Sequence, residues 1–266
     1  MSESRLTAAW RDLRARRRIA LIPYLTAGYP SPAEGLDALR TADRWADIIE
    51  VGVPFSDPLA DGPTIQRSTF EALRQGMTLQ RTLDLVAEAR LEKPVVLFSY
   101  LNPILHYGLE RLLAAARDIG VAGLLLTDLP AGADPAMERV VRASPLDLIR
   151  LVAPTTAADR VAAAVAGAEG FIYVVARLGV TGARDTLPPD LTDTVSRVRA
   201  ATTLPVAVGF GISNPEQARV VAGLADGVVV GSALIDILAR DGVPGADRFL
   251  RHLREALDAA EVVHGD

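Results

Sequence analysis

Short runs of apolar and β-branched residues recur along this chain, and stretches of helical periodicity separate them. Because these runs are almost continuously apolar, both faces of each strand should be buried, as in a parallel sheet covered by helices. Alternating strands and helices of this kind indicate right-handed crossovers. The predicted strands are 19–25, 48–51, 95–99, 123–127, 148–152, 171–175, 206–209 and 227–230. The predicted helices are 32–45, 79–90, 109–119, 134–143, 157–166, 191–200, 215–222 and 247–260.

The number of these units favours a closed (β/α)8 TIM barrel. Such barrels run to about 250 residues as one domain, and the chain has 266. The alternative, an open doubly wound sheet, usually has a glycine-rich turn after its first strand, whereas this chain continues with TAGYP at 26–30. We predict a single α/β domain over 1–266, with an extra N-terminal helix made amphipathic by Leu6, Trp10 and Leu13.

Composition excludes several kinds of chemistry and partner. Cysteine is absent, which excludes a cysteine nucleophile and thiolate metal sites and fits a reducing compartment such as the cytoplasm. The single lysine, Lys93, precedes strand 3 at the closed end of the barrel, so we expect no Schiff-base lysine in the site. Three scattered histidines do not make a histidine-rich metal site. The net charge of −5 argues against nucleic acid and anionic membranes as partners.

Two carboxylates near the end of strand 2 are the candidates for acid–base chemistry. Barrel enzymes carry their active sites at the C-terminal ends of the strands and in the loops that follow. Glu50 ends an apolar strand, so its carboxyl group should be partly desolvated and its pKa raised; a structural ion pair is the alternative. Asp61 lies in a loop rich in proline and glycine, where an aspartate commonly hydrogen-bonds its own turn.

Glycines after the last three strands indicate an anion site. Strand 7 runs into GFGIS at 209–213, strand 8 into Gly231 and Ser232, and strand 6 into GVTG at 179–182. Such loops let backbone N–H groups approach an anion, and a helix N-terminus adds a favourable dipole. Each glycine alone could simply form a turn. Barrels often bind phosphate after strands 7 and 8, so the three loops together favour a phosphorylated substrate.

The segment 50–66, EVGVPFSDPLADGPTIQ, closely resembles the alpha subunit of tryptophan synthase. Phosphosugar isomerase barrels share the phosphate end but not this segment. The resemblance extends over nearly the whole chain and implies retro-aldol cleavage of indole-3-glycerol phosphate to indole and glyceraldehyde 3-phosphate. The shorter matching stretches are PYLTAG at 23–28, YLNP at 100–103, TDLP at 127–130, GVTG at 179–182, GFGI at 209–212 and GSA at 231–233.

The resemblance also implies roles for individual residues. Glu50 matches the family's catalytic glutamate, which moves a proton to indole C3 and from the C3′ hydroxyl. Asp61 matches the catalytic aspartate that accepts the indole N–H, and Thr181 matches the threonine of a loop that closes onto it. The other implied substrate contacts are Tyr173 beside the glutamate, Gly182, Gly211, Gly231 and Ser232 around the phosphate, and Tyr24, Tyr100, Leu126 and Val152 around the indole.

A protein partner follows from the same resemblance. Alpha subunits of this family bind a pyridoxal-phosphate-dependent beta subunit in an α2β2 complex, so we expect no cofactor and no metal on this chain. The interface should include Asp57, Pro58 and the 102–103 loop. The alternatives are a stand-alone lyase that releases free indole, a barrel that only binds and activates a partner, and a phosphosugar isomerase.

Overall fold

A closed barrel of eight parallel strands forms the centre of the molecule. The computed structural model describes residues 3–176, 189–209 and 211–260. The strands follow one another in sequence order, and the last pairs with the first. They are β1 Ala20–Thr26, β2 Ile49–Gly52, β3 Val95–Ser99, β4 Val121–Leu126, β5 Asp147–Val152, β6 Ile172–Val175, β7 Val206–Gly209 and β8 Gly227–Val230. The predicted (β/α)8 barrel is confirmed, and every strand lies within about two residues of its predicted position.

Helices cover the outside of the barrel. In the described part of the chain they are α1 Arg5–Ala15, α2 Pro32–Trp45, α3 Pro63–Arg74, α4 Leu79–Ala89, α5 Leu101–Tyr107, α6 Leu109–Asp118, α7 Pro135–Arg142, α8 Val161–Val165, α9 Pro189–Ala201, α10 Pro215–Ala222 and α11 Ser232–Asp258. A kink at Gly242, with φ of 63°, interrupts α11. None of these described helices combines the length and the apolar character needed to cross a membrane.

Helices α3 and α5 are absent from the sequence prediction. Helix α3 begins after Gly62 with Pro63 in its first turn, where proline fits because its missing N–H would have no partner. The proline- and glycine-rich segment after β2 therefore leads directly into a helix. As a result Asp61 lies just before the N-terminal cap of α3, and Tyr100 holds the corresponding cap position of α5.

Helix α1 is the predicted extra N-terminal helix, and it closes the N-terminal end of the barrel. Its Leu6, Trp10 and Leu13 side chains are buried, and the Trp10 ring packs against Phe171 with the centroids 5.6 Å apart. These side chains belong to a core inside the barrel, which is distinct from the larger core between strands and helices. With this end closed, access to the barrel interior is from the C-terminal ends of the strands.

Candidate active site

Glu50 lies inside the barrel near the C-terminal end of β2. It pairs in register with Tyr24 of β1 and Val96 of β3, and strand alternation turns it inward, as it does the inner-core residue Ile48. The residue is 0% exposed, and neither carboxyl oxygen has a hydrogen-bond partner within the described residues. Burial raises the pKa of Glu50 to about 8, because the charged form loses its hydration.

Three aromatic side chains from β1, β3 and β6 form a row beside Glu50. Phe98 lies edge-on to Tyr24 with ring centroids 5.4 Å apart, and to Tyr173 at 6.4 Å. Burial, together with nearby carboxylates that include Glu50, raises the pKa of both tyrosine hydroxyls well above the ordinary value. Both therefore stay protonated. Phe98 is missing from the sequence prediction, although its two-residue step from Val96 marks it as facing inward.

Two glycines at strand ends make room for the tyrosines. A β-carbon at Gly52 would lie 2.0 Å from the Tyr24 hydroxyl oxygen, and one at Gly209 would lie 2.2 Å from that of Tyr173. Gly209 is the first residue of the predicted anion loop at 209–213. The structure gives it a different use, because the Tyr173 ring approaches its backbone too closely for any side chain.

Asp61 is held by a tyrosine from the neighbouring loop. The Tyr100 hydroxyl interacts with the Asp61 carboxylate and lowers its pKa, and it accepts a hydrogen bond of 2.9 Å from the Ala60 N–H. Burial raises the pKa of Asp61 to about 6, and the Tyr100 hydrogen bond opposes this rise. Burial and the Asp61 charge raise the pKa of Tyr100 to about 12, so its hydroxyl remains a donor. The ring of Tyr100 also packs on Phe55, with centroids 5.2 Å apart.

A cavity of about 780 Å³ connects Asp61 to the aromatic row. Of the residues expected around the indole, Leu126 lines the cavity, whereas Tyr24 and Tyr100 are not among its lining residues. Val152 does not line it either, because its buried side chain packs in the outer core between strands and helices; the adjacent residue Leu151 faces the cavity instead. The prediction for Val152 is therefore wrong by one position along β5. The full lining is Ala60, Asp61, Phe98, Leu126, Thr127, Leu129, Pro130, Ala131, Arg150, Leu151, Ala153, Thr155, Thr156, Ala157, Arg160, Ala163, Ala164, Tyr173 and Val175.

The expected phosphate residues lie partly within the described chain. Ser232 is the first residue of α11 and Gly231 precedes it, without a side-chain cap from the described residues. A β-carbon on Gly231 would lie 3.5 Å from Cβ of Tyr24, so this helix N-terminus borders the aromatic row. Gly211 is exposed with φ of 88°, a left-handed conformation that favours glycine. Thr181 and Gly182 lie outside the described residues.

The described residues contain no cluster of metal ligands. Over residues 3–176, 189–209 and 211–260, no group of three or more histidines and carboxylates lies close enough to hold a metal ion. His106, the histidine nearest in sequence to the site, is exposed on α5. Glu50 and Asp61, whose pKa values are both raised, are the acid–base candidates of this site.

Comparison with known proteins decides the family. The family model described as tryptophan synthase alpha chain matches residues 10–261. The tryptophan synthase alpha chain of Chloroflexus aurantiacus is 47% identical over 96% of this chain and 98% of its own length. That of Nitratidesulfovibrio vulgaris is 46% identical over 91% and 95%. The chain belongs to the tryptophan synthase alpha chain family.

Solved structures agree with this membership. Tryptophan synthase from Mycobacterium tuberculosis superposes with a TM-score of 0.88 at 38% identity, over 96% of this chain and 99% of that one. Tryptophan synthase subunit alpha from Legionella pneumophila also gives 0.88, at 35% identity, over 97% and 99%. Tryptophan synthase alpha chains are lyase-type enzymes of tryptophan biosynthesis, and their family implies a beta-subunit partner. Membership also argues against the phosphosugar isomerase considered above.

Proposed function

We propose that this chain is a carbon–carbon lyase that cleaves indole-3-glycerol phosphate to indole and glyceraldehyde 3-phosphate. The observation that carries the proposal is Glu50, a fully buried carboxyl group without a hydrogen-bond partner among the described residues, near Tyr173, which lines the cavity. Such a group keeps its proton at neutral pH. Protonating an aromatic carbon requires a positioned acid of this kind, because the carbon is a weak base.

In the proposed reaction Glu50 acts twice. Its proton goes to C3 of the indole ring, which converts the ring to an indolenine-like cation. The bond between C3 and C3′ then breaks, and its electron pair returns to the ring while the C3′ hydroxyl gives up its proton to the Glu50 carboxylate. The products are indole and an aldehyde, and Glu50 is again protonated. The pKa of about 8 supports this cycle, because a group that titrates near the working pH can both donate and accept a proton.

Asp61 is proposed to stabilise the charge that protonation creates. Its pKa of about 6 leaves the carboxylate mostly ionised at neutral pH, while that of Glu50 leaves the other carboxyl mostly protonated. Two carboxyl groups whose environments separate their pKa values commonly divide the roles of acid and charge stabiliser. An ionised Asp61 would accept a hydrogen bond from the indole N–H. This bond would be strongest when the ring is cationic.

The phosphate is proposed to bind at the N-terminus of α11. The helix begins at Ser232 after an uncapped Gly231, and free N–H groups with a favourable dipole attract an anion. Gly211 and Gly182 complete the proposed phosphate contacts, Gly182 from the resemblance alone. Thr181 is proposed, also from the resemblance alone, to contact Asp61. This helix end lies against Tyr24, and we propose that a substrate with its phosphate at α11 extends its ring past Glu50 toward Asp61.

The proposed partner is a beta subunit, in an α2β2 complex that receives the indole. The open end of the barrel carries two exposed apolar side chains, Leu59 after β2 (92% exposed) and Leu105 on α5 (59% exposed). They accompany Asp57, Pro58 and residues 102–103, which the resemblance assigns to the interface. Residues 102–103 lie in α5 and not in the predicted loop. We propose that this chain needs no cofactor, with pyridoxal phosphate on the beta subunit, and that it works in the cytoplasm, as the absence of cysteine fits.

The decisive experiment is a cleavage assay on indole-3-glycerol phosphate, with a family beta subunit as the variable. We expect turnover that rises when the beta subunit is present. High turnover by the chain alone, unchanged by the partner, would instead support a stand-alone lyase that releases free indole. No cleavage under either condition would refute the proposed reaction and leave a barrel that only binds its partner.

Glu50→Gln is the matched variant for this assay, because it keeps the shape of the side chain and removes the transferable proton. We expect turnover to fall by about 10³-fold, within the range for a general acid–base catalyst. The affinity for inorganic phosphate should be unchanged, since Glu50 is not among the proposed phosphate contacts. Near-normal turnover would remove Glu50 from the mechanism.

A further inference from the structure

We propose that the buried ion pair between Arg150 and Glu138 fixes the wall of the indole pocket by holding the loop after β4 at two points. The inference rests on the proposed function, since it assigns the ring of the substrate to this cavity. Arg150 and Glu138 are positioning residues in this proposal. They act through the loop at 127–133. Arg150 also lines the cavity and Glu138 does not, so Glu138→Gln tests the effect through the loop separately from any contact of Arg150 with the substrate.

The pair joins the outer face of β5 to α7. Arg150 Nη2 lies 2.7 Å from Glu138 Oε2, and the two side chains are only 4% and 13% exposed. Arg150 Nη1 donates a hydrogen bond of 3.2 Å to the carbonyl oxygen of Leu129. Glu138 Oε1 accepts one of 2.7 Å from the N–H of Gly132. The ion pair therefore holds the loop at two backbone groups, the Leu129 carbonyl and the Gly132 N–H.

The held loop forms one wall of the cavity that contains the aromatic row. Thr127, Leu129, Pro130 and Ala131 all line this cavity, together with Asp61 and Tyr173 from other parts of the chain. Leu129 is buried, and its carbonyl is the group that Arg150 holds. A shift of the loop would therefore change the width of the space available to an aromatic ring.

Stability alone is a poor explanation for this pair. Desolvating two charges opposes most of their attraction, and apolar residues of similar size often replace a buried pair without loss of stability. The Nε of Arg150 is buried without a hydrogen-bond partner in the described chain. Apolar residues could not make the hydrogen bonds to the Leu129 carbonyl and the Gly132 N–H. The position of the loop therefore depends on the charged pair.

The test compares the full-length chain with the double variant Arg150→Met/Glu138→Leu, which removes both charges together and leaves no unpaired one. Arg142→Met is the matched control. Arg142 also lies on α7, but it pairs with Glu169 at 3.9 Å and lines the opposite, N-terminal end of the barrel. Thermal unfolding checks that each variant is folded. Titration calorimetry then measures the Kd for indole and, separately, for glyceraldehyde 3-phosphate.

We expect the double variant to bind indole about tenfold more weakly, a change of about 1.4 kcal/mol, with its affinity for glyceraldehyde 3-phosphate unchanged. The Arg142→Met control should bind both ligands as the parent chain does. Unchanged indole affinity in a folded double variant would overturn the inference, and so would an equal loss for both ligands. If the double variant does not fold, Glu138→Gln provides the same comparison, because it weakens the ion pair while keeping an oxygen for Gly132.

Failure of the inference can be told from failure of the proposed function. If the parent chain cleaves indole-3-glycerol phosphate and binds indole, the function stands whatever the double variant does. If the parent chain binds no indole at all, the assignment of the ring to this cavity is lost, and the inference is lost with it.

Discussion

The hydroxyl of Tyr100 accepts a hydrogen bond from the Ala60 N–H and, through its interaction with the Asp61 carboxylate, lowers the pKa of that group. This arrangement orients the carboxylate from one side and favours its charged form against the cost of burial. Tyr100 comes from the loop after β3 and Asp61 from the loop after β2, so the contact depends on how two neighbouring loops meet at the barrel's open end.

Removing the Tyr100 hydroxyl should raise the pKa of Asp61 further above its present value of about 6. In Tyr100→Phe, less Asp61 is ionised at a given pH, and the acid limb of kcat/KM should move to higher pH. A pH series of initial rates measures this shift. Phe55→Leu is a suitable control, because it removes the ring contact with Tyr100 without removing the hydroxyl. An acid limb in the same place for Tyr100→Phe would contradict the prediction.

Activity should be greatest between the pKa values of the two carboxyl groups. Asp61 must be charged, which requires a pH above about 6, and Glu50 must be protonated, which requires a pH below about 8. We therefore expect a bell-shaped profile of kcat/KM with its maximum near pH 7. A profile that keeps rising through pH 9 would show that protonated Glu50 is not the form that reacts.

Glu50→Gln should stabilise the protein at neutral and alkaline pH. The folded pKa of about 8 lies above the ordinary 4.5, so the unfolded chain releases this proton first. The stability that accompanies protonated Glu50 is complete below pH 4.5 and declines as pH rises to about 8, by up to about 1.4 kcal/mol per pH unit. Urea unfolding at several pH values should show the variant's advantage growing over this range. A difference independent of pH would contradict the linkage.

Gly52→Ala should destabilise the fold and disturb the site. The added β-carbon would lie 2.0 Å from the Tyr24 hydroxyl oxygen and 2.5 Å from the ring carbon that bears it. Overpacking of this kind typically costs about 1–3 kcal/mol. Gly62→Ala is the control, because a β-carbon there meets nothing within 4 Å. The comparison is made by urea unfolding, and equal effects of the two substitutions would argue against the steric explanation.

Ser232→Asp should weaken phosphate binding without preventing proton transfer. A carboxylate in the first turn of α11 would compete with the phosphate for the same free N–H groups and would repel its charge. We expect KM for indole-3-glycerol phosphate to rise while kcat changes little, with Ser232→Ala as the neutral control. A fall in kcat at unchanged KM would place Ser232 in the chemical step instead.

Much of the barrel could be predicted because strand and helix periods are local properties. The strand at 95–99 is found unchanged, and α1 buries the three residues that its spacing predicts. Helix α3 could not be predicted in the same way. Its start at Pro63 lies within a segment whose prolines and glycines indicate turns just as well, and only its packing beside β1 and α11 distinguishes the two.

The sequence by itself determined the order of the elements, the positions of Glu50 and Asp61 at the open end, and the exclusion of cysteine and lysine chemistry, because these follow from residue type and periodicity. The tertiary structure decided the rest. It selected Leu151 over Val152 for the cavity, brought Phe98 between two tyrosines, left Glu50 without a described partner and joined Arg150 to Glu138. These outcomes depend on how strands and helices distant in sequence pack together, and a pKa or a pocket wall is a property of that packing.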